Sequence, residues 1–482
     1  MDALELARWQ FAITTVYHFL FVPITIGMSA IVAGFHTAWV RTHDPRLYRL
    51  TRFFGKLFLI NFALGLVTGI VQEFQFGMNW SDYSRMVGDI FGAPLAFEAL
   101  LTFFLESTFL GLWIFGWGRL PEKLHAATMW LVHIGTVMSA FFILAANSFM
   151  QNPVGYRFNP ATNRAELVDF VAVLTNKVQL VTFPHVITAA YMTGGAVVMG
   201  VALWHLRRPM VGEHRGMYRQ AARVGAIVTL VASLVVVITG DLQGKVMTEV
   251  QPMKMAAAEG LYETKTHAPF SILSIGTLDG SEATRIIEVP GLLSFLGHGD
   301  FDAEVKGINP LKSEYAQEFD GNPYTEDTRT QYTPNIPTTY WTFRLMMGLG
   351  FVGMFISAAV LWATRKSASA DVLRPRAWHW AAVLAPLMPL FANSFGWIFT
   401  EVGRQPWAVH GLMTTATGVS PSVSAGEVLF SMVVYTLLYG ALAVIEVKLF
   451  LKYVRLGAEA VPDPSDPDEA ESDQDSPLVF AY

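Results

Sequence analysis

Long stretches of apolar residues, separated by short polar segments, dominate the chain. Because a helix needs about 20 mostly apolar residues to cross the hydrocarbon core of a bilayer, each such stretch predicts one membrane span. The sequence contains nine of them, at approximately residues 10–39, 53–76, 91–117, 125–147, 178–205, 222–240, 339–363, 379–401 and 426–451. The pattern therefore predicts an all-α integral membrane protein with about nine transmembrane helices.

Basic residues predict the orientation of these spans. The connections after spans one, three, five and seven carry clusters of Lys and Arg, whereas the other short connections carry few. Basic residues concentrate in the cytoplasmic loops of membrane proteins. We therefore expect the N-terminus outside and the C-terminus in the cytoplasm. The cluster after span five, for example, consists of Arg207, Arg208, Arg215 and Arg219.

The segments outside the spans predict the domain organisation. Residues 241–338 hold 15 acidic and 7 basic residues, and they follow the sixth span, which places them outside in the orientation given above. Within them, residues 245–264 have few helix breakers and predict a helix, and the remainder predicts a loop. The end of the chain is acidic and rich in Pro and Ser, which predicts a disordered cytoplasmic tail. The predicted units are a six-span bundle at 1–240, an outer loop at 241–338, three further spans at 339–456 and the tail at 457–482.

Composition narrows the chemistry that the chain can support. A formal charge of −6 excludes the basic footprint of a nucleic-acid binder. The absence of cysteine excludes disulfides, thiolate-ligated haem and iron–sulfur clusters. Any metal must therefore be bound by His, Met, Asp or Glu.

Ionisable side chains inside the predicted spans are candidates for function, because such groups are costly to place in a bilayer. Counting at about 1.5 Å per residue from the outer ends of the spans places several of them in one layer in the outer half of the membrane. His, Met and carboxylate side chains at a common depth are what axial ligation of haem iron requires. The layer contains His18, Glu98, His185, Arg344 and Met346, with Trp397 and Glu401 at the outer end of span eight.

Each residue of this layer also has a structural interpretation. A single membrane histidine such as His18 or His185 is equally typical of a hydrogen-bonded packing residue, and Met346 is typical of core packing. Glu401 lies three residues before Arg404, so a simple ion pair is the alternative for this carboxylate. The shared depth of these residues favours a common function over separate structural roles.

A second carboxylate, Glu106, follows Glu98 on span three, about 12 Å deeper and turned by about 80° of helix. The two glutamates predict steps of a proton relay from the cytoplasm. The alternative is that Glu106 only bonds a neighbouring hydroxyl, such as that of Ser107 or Ser139. The histidines without partners at the common depth are interpreted as structural: His36, His125, His133 and His379.

Five motifs, in order along the chain, resemble subunit I of cytochrome bd quinol oxidase. GRQPW alone is moderately specific, whereas five motifs in order, together with nine spans, are highly specific. The likeness extends from Arg8 to about Leu456, and the outer loop of about 98 residues resembles the family's shorter form. The motifs are FEALLTFFLEST at 97–108, GDLQG at 240–244, QPMKMAAAE at 251–259, FRLM at 343–346 and GRQPW at 403–407.

The resemblance implies three haems and their ligands. His185 and Met346 are similar to the axial ligands of a low-spin haem b, whose propionates Arg344 would face. His18 is similar to the ligand of one high-spin haem and Glu401 to that of the other. The family assigns haem d and high-spin haem b to these two positions in different ways, and haem d on His18 is the preferred expectation.

The resemblance also implies roles for four further residues. Trp397 is similar to the aromatic residue that lies among the three haems, and Arg404 of GRQPW is expected at the same cofactor site. Lys254 and Glu259 resemble residues of the family's quinol-binding loop. There Glu259 would accept a hydroxyl proton and Lys254 would hold a quinone oxygen. Without the motif, a solvated helix face in an acidic loop is the alternative for both.

The function that the resemblance implies is that of a terminal respiratory oxidase in the bacterial cytoplasmic membrane. It would oxidise quinol at the outer face and reduce O2 to water at the high-spin haems. Protons would enter from the cytoplasm through Glu106 and Glu98 and build a gradient without a pumping element. The implied partners are a second membrane subunit, sometimes a small single-span subunit, and the lipid bilayer, but no nucleic acid.

Other classes of membrane protein fit the sequence less well. A haem–copper oxidase needs adjacent histidine ligands for copper, and no two histidines are adjacent in the chain. The cytochrome b of a quinol–cytochrome c reductase needs two pairs of histidines at a wider spacing than that of His125 and His133, which are eight residues apart on span four. The alternative from another class is a cofactor-free, proton-coupled secondary transporter, against which the lack of an internal repeat argues.

Overall fold

The computed structural model describes residues 2–208, 212–365, 370–373 and 375–462. Within these residues, nine helical segments are long and apolar enough to cross a membrane, which confirms the predicted all-α membrane fold. The nine segments are Ala3–Thr42, Pro45–Met78, Ser81–Phe115, Glu122–Gln151, Lys177–Leu206, Gly212–Val250, Ile336–Ala363, Ala377–Gly403 and Ala425–Leu456.

Two of these spans are composite. The first consists of α1 (Ala3–Phe19) and α2 (Phe21–Thr42), and the third runs from α4 (Ser81–Phe97) through a π-helical turn (Glu98–Phe103) into α5 (Phe104–Phe115). The second span is α3 (Pro45–Met78). The other helices are α6 (Glu122–Gln151), α7 (Phe170–Leu174), α8 (Lys177–Leu206), α9 (Gly212–Val250), α10 (Pro252–Glu259), α11 (Leu292–His298), α12 (Ile308–Phe319), α13 (Ile336–Ala363), α14 (Ala377–Gly403), α15 (Thr415–Gly418) and α16 (Ala425–Leu456).

Three short antiparallel hairpins lie outside the spans. The longest is in the outer loop, and a bulge between Ser271 and Ser274 shifts its register. The strands are β1 (Tyr156–Asn159) with β2 (Arg164–Leu167), β3 (Phe270–Gly276) with β4 (Ala283–Val289), and β5 (Trp407–Val409) with β6 (Met413–Thr414).

Local sequence explains where several spans begin. Asp44 accepts a hydrogen bond from the Arg46 amide at 2.9 Å ahead of α3, which starts with a proline. Asn335 caps α13 in the same way, by accepting from the Thr338 amide at 3.0 Å. Ser424 and Glu427 form a reciprocal capping box at the start of α16. These side chains satisfy amide groups that the first helical turn leaves unpaired.

The centre of the bundle is α8, which packs against α2, α9 and α14. Its contact with α2 is backbone against backbone: a Cβ on Gly27 would lie 2.3 Å from Ala190 O, and one on Gly194 would lie 2.4 Å from the carbonyl carbon of Gly27. Small residues let membrane helices approach closely in this way. Farther out, α16 packs on α1 and α3 and exposes most of its apolar side chains, as expected of a surface that meets lipid or another subunit.

The N-terminus lies at the same end of the bundle as the outer loop. Arg329 Nη1 of the loop lies 3.3 Å from Asp2 Oδ2. At the opposite end, Tyr218 at the start of α9 donates a hydrogen bond to Glu459, which follows the last span. An odd number of spans places the two termini at opposite ends of the bundle, as this arrangement does. The side of the membrane on which each end lies stays a prediction.

Two predicted boundaries differ from the structure. Residue 241 lies inside α9, which continues to Val250, so the predicted helix at 245–264 is the end of a span followed by the separate helix α10. Pro252 explains the break, because proline disfavours helical geometry in the preceding residue. The rest of the loop contains β3, β4, α11 and α12 in addition to irregular segments.

The predicted tail at 457–482 begins with an ordered segment. Ala458 is fully buried within a 3₁₀ turn, Ala458–Ala460, and its amide donates a hydrogen bond to Tyr218 Oη at 2.8 Å. A disordered tail starting at residue 457 is therefore wrong for its first residues. Residues 463–482 lie outside the described part of the chain.

Candidate functional site

Two histidines are held by the same local device on different helix pairs. His185 Nδ1 on α8 lies 3.1 Å from Thr239 Oγ1 on α9, and a Cβ on Gly240 would lie 3.3 Å from His185 Cε1. His18 Nδ1 on α1 lies 3.0 Å from a threonine hydroxyl on α3, and the following glycine would place a Cβ 3.2 Å from His18 Cε1. In each case a threonine fixes Nδ1, a glycine makes room for the ring, and Nε2 remains for another group. The α3 residues are Thr68 and Gly69.

A cavity of about 410 Å³ brings several predicted site residues together. His185, Met346 and Trp397 line it from the membrane spans, and Lys254 and Glu259 line it from the outer loop. Of the residues predicted at a common depth, three therefore share this cavity; His18, Glu98, Arg344 and Glu401 are not among its lining residues. The cavity is mostly apolar, as expected of a site for a large flat cofactor and a hydrophobic substrate.

Met346 has the surroundings of a ligand on this cavity. A Cβ on Gly396 would lie 3.0 Å from Met346 Sδ, so that α14 carries no side chain against the sulfur. Together, His185 Nε2 and Met346 Sδ supply one imidazole and one thioether to the same space. This donor set, with the glycine clearance beside each member, fits the axial ligation of a haem iron.

Trp397 connects the cavity with the His18 site. Its ring lines the cavity and also meets Phe19, the neighbour of His18, edge to face at 5.0 Å between ring centroids. Trp397 thus reaches from the cavity to the residue beside His18, and its expected position among three haems stays a prediction.

Glu401 is held from two sides at the end of α14. Arg404 donates to Glu401 Oε2 from Nε at 3.0 Å and from Nη2 at 2.6 Å, while Asn147 Nδ2 donates to Glu401 Oε1 at 3.0 Å. The ion pair considered from the sequence is therefore present. The ion pair does not use all the acceptor positions of the carboxylate, because each oxygen has two lone pairs and 21% of the side chain remains accessible. Glu401 therefore retains acceptor capacity for a further group.

Lys254 is buried at the boundary between the loop and the bundle. It is 2% exposed, and its Nζ donates to Gln151 Oε1 at 2.9 Å. Burial lowers the pKa of Lys254 to about 7, against the opposing attraction of Glu401. The alternative of a solvated helix face is thus wrong for this residue.

Glu259 is fully buried at the end of α10. Its Oε2 accepts from Arg344 Nη2 at 2.9 Å and from the Ser271 amide at 3.1 Å. Its Oε1 is buried and has no hydrogen-bond partner among the described residues. Burial raises the pKa of Glu259, although Arg344 opposes the change. One oxygen is thus anchored, and the other is left to accept a proton or a hydrogen bond.

Arg344 lies in the first turns of α13 and contacts the outer loop. Its Nε donates to Ser271 O at 3.0 Å, its Nη1 donates to Ala258 O, and its guanidinium stacks 3.8 Å from the centre of the Tyr340 ring. With Glu259 also bound, these donors attach the outer loop to α13. These contacts give Arg344 a role in anchoring the loop, and the expectation that it faces haem propionates stays a prediction.

Glu98 and Glu106 both face α6. Ser139 Oγ donates to Glu98 Oε1 at 2.6 Å, and a Cβ on Gly135, one helical turn away, would lie 2.5 Å from Glu106 Cγ. The predicted rotation of about 80° assumed a regular α-helix. The π-helical turn between the two glutamates accommodates an extra residue, which explains why they share one face.

The two serines considered as partners of Glu106 bond other groups, and three of the histidines interpreted as structural have partners of their own. Ser139 bonds Glu98 instead of Glu106, and Ser107 Oγ donates to Phe104 O at 3.3 Å. These three histidines make hydrogen-bond contacts within the bundle. His36 accepts from Trp113 Nε1 at 3.1 Å, and His125 Nε2 lies 2.8 Å from Trp113 O. His133 lies 2.9 Å from Ser29 Oγ, and His379 lies near the start of α14.

Sequence reasoning missed the residues that hold the predicted ones. Threonine and glycine inside membrane helices carry a weak signal, because the dipeptide Thr-Gly occurs four times in the sequence and only two copies face a histidine. Asn147 and Gln151 are polar residues four apart near the end of a span, and this spacing was the signal available for them. The missed residues are Thr68, Gly69, Asn147, Gln151, Thr239, Gly240 and Gly396.

Comparisons with known proteins agree on one family. The family model described as cytochrome bd terminal oxidase subunit I matches residues 6–458. The chain is 46% identical, over 462 residues and 95% of both chains, to cytochrome bd ubiquinol oxidase subunit 1 of Bacillus subtilis (strain 168). It is 36% identical, over 95% of this chain and 98% of the other, to cytochrome bd-II ubiquinol oxidase subunit 1 of Escherichia coli (strain K12).

A solved structure supports the same relation. The chain resembles the bd oxidase from Geobacillus thermodenitrificans with a TM-score of 0.82 and 27% sequence identity. The match covers 94% of this chain and 98% of that chain. The likeness therefore extends over the nine spans and the outer loop together.

Proposed function

Because the chain belongs to the cytochrome bd terminal oxidase subunit I family, we propose that it oxidises a quinol at the loop end of the bundle and reduces O2 to water. As a member of this family it is an oxidoreductase subunit of a bacterial membrane, and it works with a second subunit. Family membership leaves no support for the cofactor-free transporter. The cavity shared by His185 and Met346 is the observation that carries the proposal.

Three haems are proposed to be held by residues of this chain. His185 and Met346 would hold a low-spin haem b, His18 would hold haem d, and Glu401, oriented by Arg404, would hold a high-spin haem b. When bound, these groups supply one-electron transfer and the iron at which O2 is reduced. Trp397 lies between the two histidine sites and excludes water from the space that separates them.

Quinol oxidation is proposed to use the two buried loop residues. Glu259 Oε1, which has no hydrogen-bond partner in the described part of the chain, is placed to accept a hydroxyl proton, and the raised pKa of Glu259 favours that transfer. Lys254 Nζ would bind the second quinol oxygen and stabilise the anion that develops there. Arg344 fixes Glu259 and the strand β3 around this site.

Proton uptake is proposed to come from the opposite end of the bundle. Glu106 and Glu98 on the third span both face α6, where Ser139 orients Glu98. Carboxylates in this arrangement can receive and pass protons toward the high-spin site. With the N-terminus outside, protons released from quinol outside and taken up from the cytoplasm would build a gradient without a pumping element.

The proposal is tested by adding quinol to the purified, oxidised two-subunit complex without oxygen and then admitting O2. We expect haem absorption bands to appear on reduction and to reverse with oxygen. A colourless complex would contradict the oxidase proposal. A complex with haem b alone would retain the oxidase function but remove haem d from His18.

A further inference from the structure

An unbroken line of hydrogen bonds runs along the cavity wall from the outer loop to Glu401. Lys254 Nζ donates to Gln151 Oε1 at 2.9 Å, Gln151 Nε2 donates to Asn147 Oδ1 at 2.8 Å, and Asn147 Nδ2 donates to Glu401 Oε1 at 3.0 Å. We propose that Asn147 and Gln151, here called the amide bridge, are positioning residues that couple quinol binding at Lys254 to the carboxylate at the high-spin haem site. This inference rests on the roles proposed above for Lys254 and Glu401.

The two ends of the bridge determine its direction. A lysine ammonium can only donate hydrogen bonds, and a carboxylate can only accept them. Each amide must therefore direct its oxygen toward Lys254 and its nitrogen toward Glu401. Reversing Gln151 would place its NH2 group against the ammonium and its oxygen against Asn147 Oδ1. Only one orientation of both amides satisfies every group between the two charges.

Helix geometry places the two amides in line. Asn147 and Gln151 are four residues apart on α6 and therefore lie on one face, one turn apart. Gln151 is the last residue of α6, and it also accepts from Gln251 Nε2 at its backbone carbonyl at 3.0 Å. Gln151 is 7% exposed, so water competes little for its side chain. The bridge is therefore held in position by the loop at one end and by α14 at the other.

The bridge transmits orientation and charge, because side-chain amides are not proton carriers at ordinary pH. When a quinol oxygen accepts a hydrogen bond from Lys254 Nζ, the hydrogen bond from Lys254 to Gln151 weakens or changes its direction. The adjoining amides then donate less strongly to Glu401 Oε1, because hydrogen bonds in a chain polarise one another. Occupancy of the quinol site thereby changes the electron density of the Glu401 carboxylate, while Arg404 keeps its other oxygen fixed.

The test follows the high-spin haem spectrum of the whole complex while decylubiquinone is added. We expect a shift of the high-spin band in the native complex. We expect no shift in Asn147→Leu or Gln151→Met, although both retain their haems. Ser148→Ala serves as a matched control: it removes a buried hydrogen bond of the same helical turn, to Gln179 at 3.2 Å, and should shift like the native complex.

Kinetics with decylubiquinol separate the two halves of the bridge. Gln151→Met should raise KM about tenfold, because Lys254 Nζ loses the acceptor that orients it toward the quinol site. Asn147→Leu should leave KM unchanged, because Lys254 keeps its partner. Gln151→Glu should also keep KM, since it retains an acceptor for Lys254, but should lose the spectral shift because it provides no donor to Asn147.

A spectral shift retained in Asn147→Leu and Gln151→Glu would overturn the coupling, and so would the absence of a shift in the native complex. Failure of the roles proposed for Lys254 and Glu401 would be seen in variants of those two residues. In that case Lys254→Met would leave KM unchanged, or Glu401→Gln would leave the high-spin spectrum unchanged.

Discussion

The sites around His18 and His185 begin with the same device and are completed differently. In both, a threonine fixes the ring at Nδ1, at 3.0 Å and 3.1 Å respectively, and the next residue is a glycine that clears space for it. The His185 site adds Met346 across a cavity, with a third glycine beside its sulfur. The two loop residues proposed to bind quinol line the same cavity.

This difference separates ligand holding from chemical function. Holding an imidazole needs only a threonine and a glycine on the neighbouring helix. The group on the opposite face of the iron then decides whether both axial positions are filled, as in electron transfer, or one is open, as in oxygen binding. We propose the first for His185 with Met346 and the second for His18.

The largest expected effect separates the two histidines. His185→Leu should remove the low-spin haem b and leave the high-spin bands, whereas His18→Leu should remove haem d and retain the low-spin bands, because each ring binds a different iron. Absorption spectra of the two purified complexes check this expectation. His133→Gln, which changes a histidine outside both sites, should retain all bands. Equal losses in both site variants would contradict the assignment of separate haems.

The next effect concerns the threonines. Thr239→Val should weaken retention of the low-spin haem by about 10- to 100-fold, and Thr68→Val should do so for the His18 site, since partners that orient a metal-binding histidine contribute about this much. Haem content after detergent dilution measures the effect. Thr239→Ser and Thr68→Ser keep the hydroxyl and should restore retention. Loss without rescue by serine would indicate a packing role.

A smaller effect concerns pH and should act only through the cavity of the His185 site. Because burial lowers the pKa of Lys254 to about 7, the ammonium is lost as pH rises through that value. KM for quinol should therefore rise above pH 7, by at most about tenfold per pH unit. Steady-state assays between pH 6 and 9 check this. Lys254→Met should show a high KM without this rise, and a rise that persists in it would assign the titration to another group.

The smallest effect tests the glycines. An alanine at Gly69 or Gly240 would place a Cβ 3.2 Å or 3.3 Å from the neighbouring imidazole carbon, so the ring must move by a few tenths of an ångström. We expect a shift of the corresponding absorption band without loss of haem. Gly34→Ala, which has no atom within 4 Å of the new Cβ, should leave both bands unchanged. A shift of the wrong band would reverse the pairing of glycines with haems.

The sequence predicted the spans and pointed to candidate site residues, but it did not reveal the residues that hold them. Hydrophobic runs of about 20 residues identify spans directly, and nine were found in the described chain. Met346, Lys254 and Glu259 were identifiable by motif, and His185 by its depth in span five. Threonine, glycine and amide partners were not, because those residues are common in membrane helices for reasons of packing and carry no signal until two helices are placed side by side.

Two further features could not be predicted from the sequence, for specific reasons. The common face of Glu98 and Glu106 depends on a π-helical turn that hydrophobic periodicity does not reveal. The position of Arg344 depends on the folding of β3 over α13, which brings Ser271 O within 3.0 Å of its Nε. A motif that names a residue states neither the local helix geometry around it nor which of its possible partners it contacts.

The central claim is that His185 and Met346 bind one haem between them. The most direct test is the reduced spectrum of Met346→Leu beside that of Met347→Leu, since both methionines line the cavity and leucine preserves its apolar character. We predict that Met346→Leu abolishes the low-spin haem b band while the protein still inserts into the membrane, and that Met347→Leu retains the band. An unchanged band in Met346→Leu would contradict the account.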